Sequence, residues 1–183
     1  MKIMKYGGSK FFHLTLLSVV IALAGCAGTA GRHKALIPMK DIVALGQYSS
    51  LIFDSQHTSG VPMLETDHQR IKALIIQKIV KKAHDRFEHI NSEDSNPNTL
   101  HASLIFTRYE KGNAFARAML IGLGQIHIDA QLELKDEETQ ELIGKFEIKK
   151  TFAWGGLYGG FTGIEGAEDG FADAVVEVLF EEK

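Results

Sequence analysis

From Ile126 to Lys149 the chain alternates apolar and polar residues almost without a break, and no other pattern limits the fold as tightly. Ile126, Ile128, Ala130, Leu132 and Leu134 fall on one side, and His127, Asp129, Gln131, Glu133 and Lys135 on the other. A period of two sustained this long predicts a strand with one buried and one wet face. After the charged turn Asp136–Gln140, Leu142, Gly144, Phe146 and Ile148 repeat the pattern against Ile143, Lys145, Glu147 and Lys149. The two halves predict an antiparallel hairpin. Opposite charges facing each other across such a ladder pair locally, so the charge there calls for no functional explanation.

A hairpin with one apolar face needs a covering layer. Ile71, Leu74, Ile75, Ile79, Ala83, Phe87 and Ile90 recur at helical spacing, with Lys72, Lys78, Lys81, Lys82, Asp85 and Arg86 on the remaining surface. That predicts an amphipathic helix of about six turns. Thr66, with Gln69 three residues on, reads as its capping box. Tyr48–Ser55 and Leu100–Thr107 alternate as two more strands, and Ala167–Phe180 carries a second helical stripe through Phe171, Ala174, Val175, Val178 and Leu179. Ala114–Gly124 fits neither period. The expected fold class is α/β (α+β), a single two-layer domain. A mixed four-stranded sheet carries one long helix and a C-terminal helix on one face, in the order β-α-β-β-β-α.

The first 25 residues stand apart from this domain. Lys2, Lys5 and Lys10 precede a mostly apolar run from Phe11 to Ala24, short for a membrane span and followed by small residues, as in a secretory signal. Ala22-Leu23-Ala24 fits the small-x-small rule of the general signal peptidase. Leu23-Ala24-Gly25-Cys26 resembles a bacterial lipobox, the favoured reading, because Cys26 is the only cysteine and a free exposed thiol is a liability in an oxidising compartment. The lipobox resemblance implies diacylglycerol on the Cys26 sulfur, cleavage before it and acylation of the new amino group. Several acyl chains make a stable anchor where one does not. Ala27 in the next position resembles the outer-membrane sorting default. The organisation is then a lipoprotein signal peptide over residues 1–25, a lipidated tether over 26–40 ended by Pro38, and a single domain over 41–183.

Removing the signal takes three lysines and no acids from a chain of 20 basic and 23 acidic residues, leaving a net charge of −6. Such a balance argues against nucleic acid, or anionic lipid headgroups, as partners through bulk charge. The remaining 158 residues suffice for a core without disulfides or a structural metal.

The candidate chemistry is sparse. His84 and His89 are five apart on a helical pattern and point away from each other, and His101 with His127 makes only two ligands, so no metal site is expected. Gly122-Leu123-Gly124 precedes a strand, and the 155–163 glycines lack a following Lys-Ser/Thr, so neither fits a phosphate-binding fingerprint. There is no Gly-x-Ser-x-Gly. Arg108 and Arg117 flank the Lys111-Gly112-Asn113 turn, where a small anion or an envelope partner would bind if they were more than surface charge. In the latter case Gly112 or Asn113 simply takes positive φ. Trp154, Leu157, Tyr158 and Phe161 crowd a glycine-rich loop, and either pack back on the core or form a contact patch.

Phe106-Thr107-Arg108-Tyr109 with Lys111-Gly112-Asn113, Ala116-Arg117-Ala118 leading through Gly122-Leu123-Gly124 into the hairpin, and the late glycine loop before a short helix together resemble the domain of unknown function 4410 family. The resemblance runs from about Tyr48 to Phe180, and the Asp136–Gln140 turn departs from it in lacking a glycine. It implies an envelope lipoprotein with an α/β domain of unassigned activity and supplies no catalytic residue. The expectation is a non-enzymatic interaction or assembly module without cofactor, lipid-anchored at Cys26 in the outer membrane and facing the periplasm. Its partners would be the membrane, an envelope protein or further copies of itself, met through Trp154, Tyr158, Phe161, Arg108 or Arg117. The alternative is a periplasmic module that binds a small ligand under the 154–163 loop.

Overall fold

The structure is a computed structural model and describes residues 31–39, 43–83, 86–92, 98–119, 123–153 and 163–180. Its strands are β1 (Arg32–Ile37), β2 (Ser50–His57), β3 (His89–Ile90), β4 (Thr99–Glu110), β5 (Ile126–Asp136) and β6 (Leu142–Phe152). Its helices are α1 (Glu65–Lys82), α2 (Ala114–Met119) and α3 (Ile164–Leu179), with a 3-10 turn at Val43–Gln47. The strands form one six-stranded sheet in the order β1-β6-β5-β4-β2-β3. β4, β5 and β6 make an antiparallel meander, and β2 runs parallel to β4 through the α1 crossover. The predicted hairpin is β5–β6, and Glu133 and Lys145, opposite each other in its register, pair at 2.9 Å.

The four-stranded expectation is corrected by the two edge strands. β3 has two residues, too few to show a period. β1 is exposed at every residue except His33, so it has no buried face and leaves no alternation to read. Arg32–Ile37, assigned above to the tether, is therefore part of the sheet, hydrogen-bonded along β6. Gly31 is pinned as well. Its amide donates to the Gly170 carbonyl of α3 at 3.0 Å, and a Cβ there would collide with that backbone and with Ala174.

Both long helices cover the same face, α1 against β2 and α3, and α3 against β5, β6 and β1. Ile71, Ile75 and Ile79 of α1 meet Leu51, Phe53, Leu100, Leu104 and the inward residues of β5 in one continuous core. α1 is shorter than its apolar stripe. It ends at Lys82, Phe87 packs into the core from the turn that follows, and Ile90 belongs to β3. The capping box is also corrected. Leu64 occupies the N-cap without a side-chain bond, and Gln69 donates to Glu65 Oε1 at 2.6 Å instead. Glu65 and Asp67 in the first turn still favour the helix by meeting the positive end of its dipole.

The β4–β5 register shifts between Phe106 and Arg108. One residue of slip reverses which side chains face inward, so Tyr109 is buried while Arg108 stays outside. In the Asp136–Gln140 turn it is Gln140 that takes φ 58°, the conformation a glycine adopts without cost. The Asp136 carboxylate holds this turn by accepting from the Thr139 amide and hydroxyl at 2.8 and 2.9 Å. Those bonds, the amide's foremost, keep that carboxyl below the usual aspartate range.

Candidate functional site

Polar and charged side chains from three segments meet at the start of α1: α1 itself, the end of β4 with Lys111 just past it, and the start of α3. Arg70 donates to Glu168 Oε2 through Nε at 2.9 Å and to Oε1 through Nη2 at 2.7 Å, a bidentate clamp. The same Nη2 donates to Asp67 Oδ1 at 2.9 Å. The Tyr109 hydroxyl, turned inward by the β4 bulge, donates to Glu168 Oε1 at 2.6 Å. Lys111 Nζ stands 2.7 Å from Asp67 Oδ2. The carboxylates of Glu168 and Asp67 are 1% and 3% exposed, while the Arg70 side chain is 39% exposed, so the cations screen the carboxylates from water. Burial pushes the Asp67 carboxyl up, but the bonds from Lys111 and Arg70 outweigh it and hold that carboxyl below its ordinary range. Burial, then the bond to Glu168, pushes the Tyr109 hydroxyl well above the ordinary phenol value.

Each oxygen of the two carboxylates has a cation or donor against it, and two cations balance two anions. Such an arrangement fastens the α1 N-terminus, the end of β4 and the start of α3 together. It holds no carboxylate in reserve as a base. Sequence reading missed it because Arg70 and Glu168 lie 98 positions apart. A signal was nonetheless present, since Asp67 and Glu168 interrupt buried helical stripes, at i, i+4 to Ile71 and i, i+3 to Phe171.

Ser55, His68 and Glu65 come nearest to a nucleophile relay. Ser55 Oγ lies 2.9 Å from His68 Nε2, but Glu65 Oε2 stands 3.8 Å from Nδ1, beyond hydrogen-bond reach. Glu65 is engaged by Gln69 in any case. His68 is buried against Phe106 and His57, edge to face, as a polar core residue satisfied by one serine.

Beside the charged cluster, residues 111–119 and 123–125 form a platform around α2, braced by hydrogen bonds between its two arms. Gly112 and Gly124 take φ +64° and +68°, and a Cβ on either would strike main-chain oxygens of the opposite arm. The Asn113 amide donates to Gly124 O at 3.1 Å, and the Asn113 side chain accepts from the Ala116 amide at 2.9 Å, capping the helix. Arg117 is buried, and its Nη1 donates to Gly124 O at 2.8 Å. While this framework faces inward, Phe115, Met119 and Leu123 face solvent at 75, 66 and 56% exposure. The i, i+4 spacing puts the first two on one side of α2.

The predicted site residues fare differently. Arg108 and Arg117 share no ligand, since Arg117 is spent on the platform's carbonyls and Arg108 clamps Glu110 at 2.8–2.9 Å on the surface. Gly112 does take the positive φ foreseen for that turn. His101 and His127 sit on neighbouring strands but at opposite ends of the β4–β5 ladder, opposite Lys135 and Glu110 respectively. Their nearest partners are Glu137 and Thr151. Cys26, His84, Trp154, Tyr158 and Phe161 lie outside the described residues.

The model of the DUF4410 family, a domain of unknown function, matches residues 37–156. No curated protein matches the sequence. Among solved structures, the PelC dodecamer from Paraburkholderia phytofirmans has a TM-score of 0.50 at 9% identity, over 80% of this chain and 96% of its own. A second PelC dodecamer from the same organism, a point variant, scores 0.49 at 11% identity over 84% and 98%. A DUF330 protein from Xanthomonas campestris scores 0.45 at 10% identity over 80% and 89%.

Proposed function

The chain belongs to the DUF4410 family, and from that premise we propose that it is a bacterial envelope lipoprotein, held by lipid on Cys26, whose domain is a non-enzymatic assembly module. The observation that carries the reading is β1. This outermost strand of the sheet leaves Leu36 and Ile37 exposed, beside a β6 that is otherwise well covered. Lys34, the register shift between Ala35 and Ile37, and Pro38 deter plain extension of the ladder. A contact that covers Leu36 and Ile37 is therefore one of matched side-chain shape, as a specific interface requires. The neutralised charge cluster supports a structural rather than catalytic use of the buried acids. The PelC chain with the same fold is a dodecamer, which favours a second copy of this chain as the partner over an unrelated envelope protein. Outer-membrane placement, facing the periplasm, rests on Ala27 after Cys26.

The test is in-cell crosslinking of the full tagged chain, with the molar mass of the detergent-solubilised protein measured by light scattering. A discrete homo-oligomer that collapses in Leu36→Lys/Ile37→Lys supports the module and locates its surface. Trp154→Ala/Tyr158→Ala runs beside it, because the glycine-aromatic loop is the other contact expected from sequence. A clean monomer with no crosslinked partner sinks the reading.

A further inference from the structure

We propose that the end of the domain carrying α2 rests on the phospholipid leaflet that anchors Cys26, with Leu64, Phe115, Met119 and Leu123 entering its headgroup region. This rests on the lipoprotein reading above and adds an orientation to it. Chain direction gives the first step. β1 runs antiparallel to β6, with Arg32 opposite Lys149, so the chain arrives at Arg32 from the side of the sheet where β6 ends at Phe152. Phe152 pairs with Ile126 and Glu110 with His127, so β4 ends and β5 begins at that same end, and α2 lies between them. The lipid-bearing residue therefore enters the domain from the α2 end.

Length gives the second step. Because Gly31 is fixed against Gly170, only five peptide spacings separate it from Cys26. Whatever path they follow, they span at most about 18 Å. A tether of that reach cannot lift the domain clear of the bilayer, and the end from which it issues must face the lipid.

The distribution of exposed apolar groups is the third, independent step. Seven large hydrophobic side chains are exposed among the described residues, and four of them, Leu64, Phe115, Met119 and Leu123, are at this end. Leu64 joins the others because α1 begins beside Lys111, through Asp67. The opposite end, at the Asp136–Gln140 turn, carries Glu137, Glu138 and Gln140 instead. Apolar side chains presented on a braced short helix gain free energy at the headgroup boundary without spanning the bilayer. The contact is apolar, so the net negative charge of the mature chain does not oppose it on a zwitterionic surface.

Trp154 is the only tryptophan, which allows a direct test. The full chain is produced with its signal in a Trp154→Phe background, and Phe115→Trp or Glu138→Trp is added to it. Each is reconstituted into phosphatidylcholine/phosphatidylethanolamine vesicles with or without brominated acyl chains. The expected result is loss of emission in brominated vesicles for the tryptophan at 115 and none for the one at 138. Flotation with the vesicles but equal, negligible quenching at both positions overturns the orientation while leaving the anchor standing. Blue-shifted but unquenched emission at 115 also overturns it, by putting that side chain against another protein copy. An unmodified Cys26 by mass spectrometry, with no flotation, removes the anchor first and the orientation with it.

Discussion

Replacing Arg70 by methionine keeps a side chain of similar length on α1 and deletes one guanidinium that serves two buried carboxylates. Three charge-assisted bonds disappear, two to Glu168 and one to Asp67, together with the longer contact to the Tyr109 hydroxyl at 3.2 Å. Asp67 retains Lys111, but Glu168 is left with Tyr109 alone. Breaking a buried pair by removing one partner costs about 3–5 kcal/mol, because the other charge stays desolvated. Arg70 is itself partly exposed, so water reaches the outer side of the vacated space and reduces the loss to about 2–4 kcal/mol. With a urea slope near 2 kcal/mol/M, the unfolding midpoint should fall by about 1–2 M at neutral pH. The same reasoning predicts that Arg70→Met/Glu168→Gln recovers much of the loss, since a neutral amide no longer demands a cation. A midpoint change below about 0.3 M in the single variant, or no recovery in the double variant, refutes the account of the cluster as a set of mutually dependent charges.

Three further outcomes are expected. Lys111→Met should destabilise the protein at neutral pH by about 1–2 kcal/mol, since Lys111 lies on the surface side of its pair with Asp67. Because the Asp67 carboxyl is depressed in the folded state, that contribution is present above the ordinary aspartate value of about 3.9 and lost as pH falls through the lower folded value. The gap between wild type and variant should therefore close on acidification, which chemical denaturation at several pH values will show. Gly124→Ala should cost at least about 2 kcal/mol through its positive φ and the Asn113 carbonyl in its way, whereas Gly46→Ala, with open space around it, should stay within about 0.5 kcal/mol. Leu104→Ala, fully buried, should cost about 2–5 kcal/mol in the same assay, and Leu64→Ala should leave folding almost unchanged, because Leu64 faces outward.

Every element with a strong period and two unequal faces is legible in the amino-acid pattern alone. β4, β5, β6, α1 and α3 each bury one side, and burial is what imposes alternation or a helical stripe on the residues. The family resemblance, which rested on motifs spaced along that framework, agrees with the family model over residues 37–156. What needed the tertiary structure lacked that asymmetry. β1 buries almost nothing, so its membership in the sheet follows from pairing with β6 and not from its own pattern. Phe87 and Ile90 continue the apolar stripe of α1 only in sequence, because a buried turn and a short parallel strand also need apolar residues. The Arg70–Glu168 clamp joins residues that only the packing of α1 against α3 brings together. Arg117 has the chemistry of an anion ligand and the burial of a backbone cap, and its surroundings decide between the two. Local periodicity reports burial, which each residue experiences alone; pairing, register and charge neutralisation belong to residues distant in the chain, and only folding sets their distances.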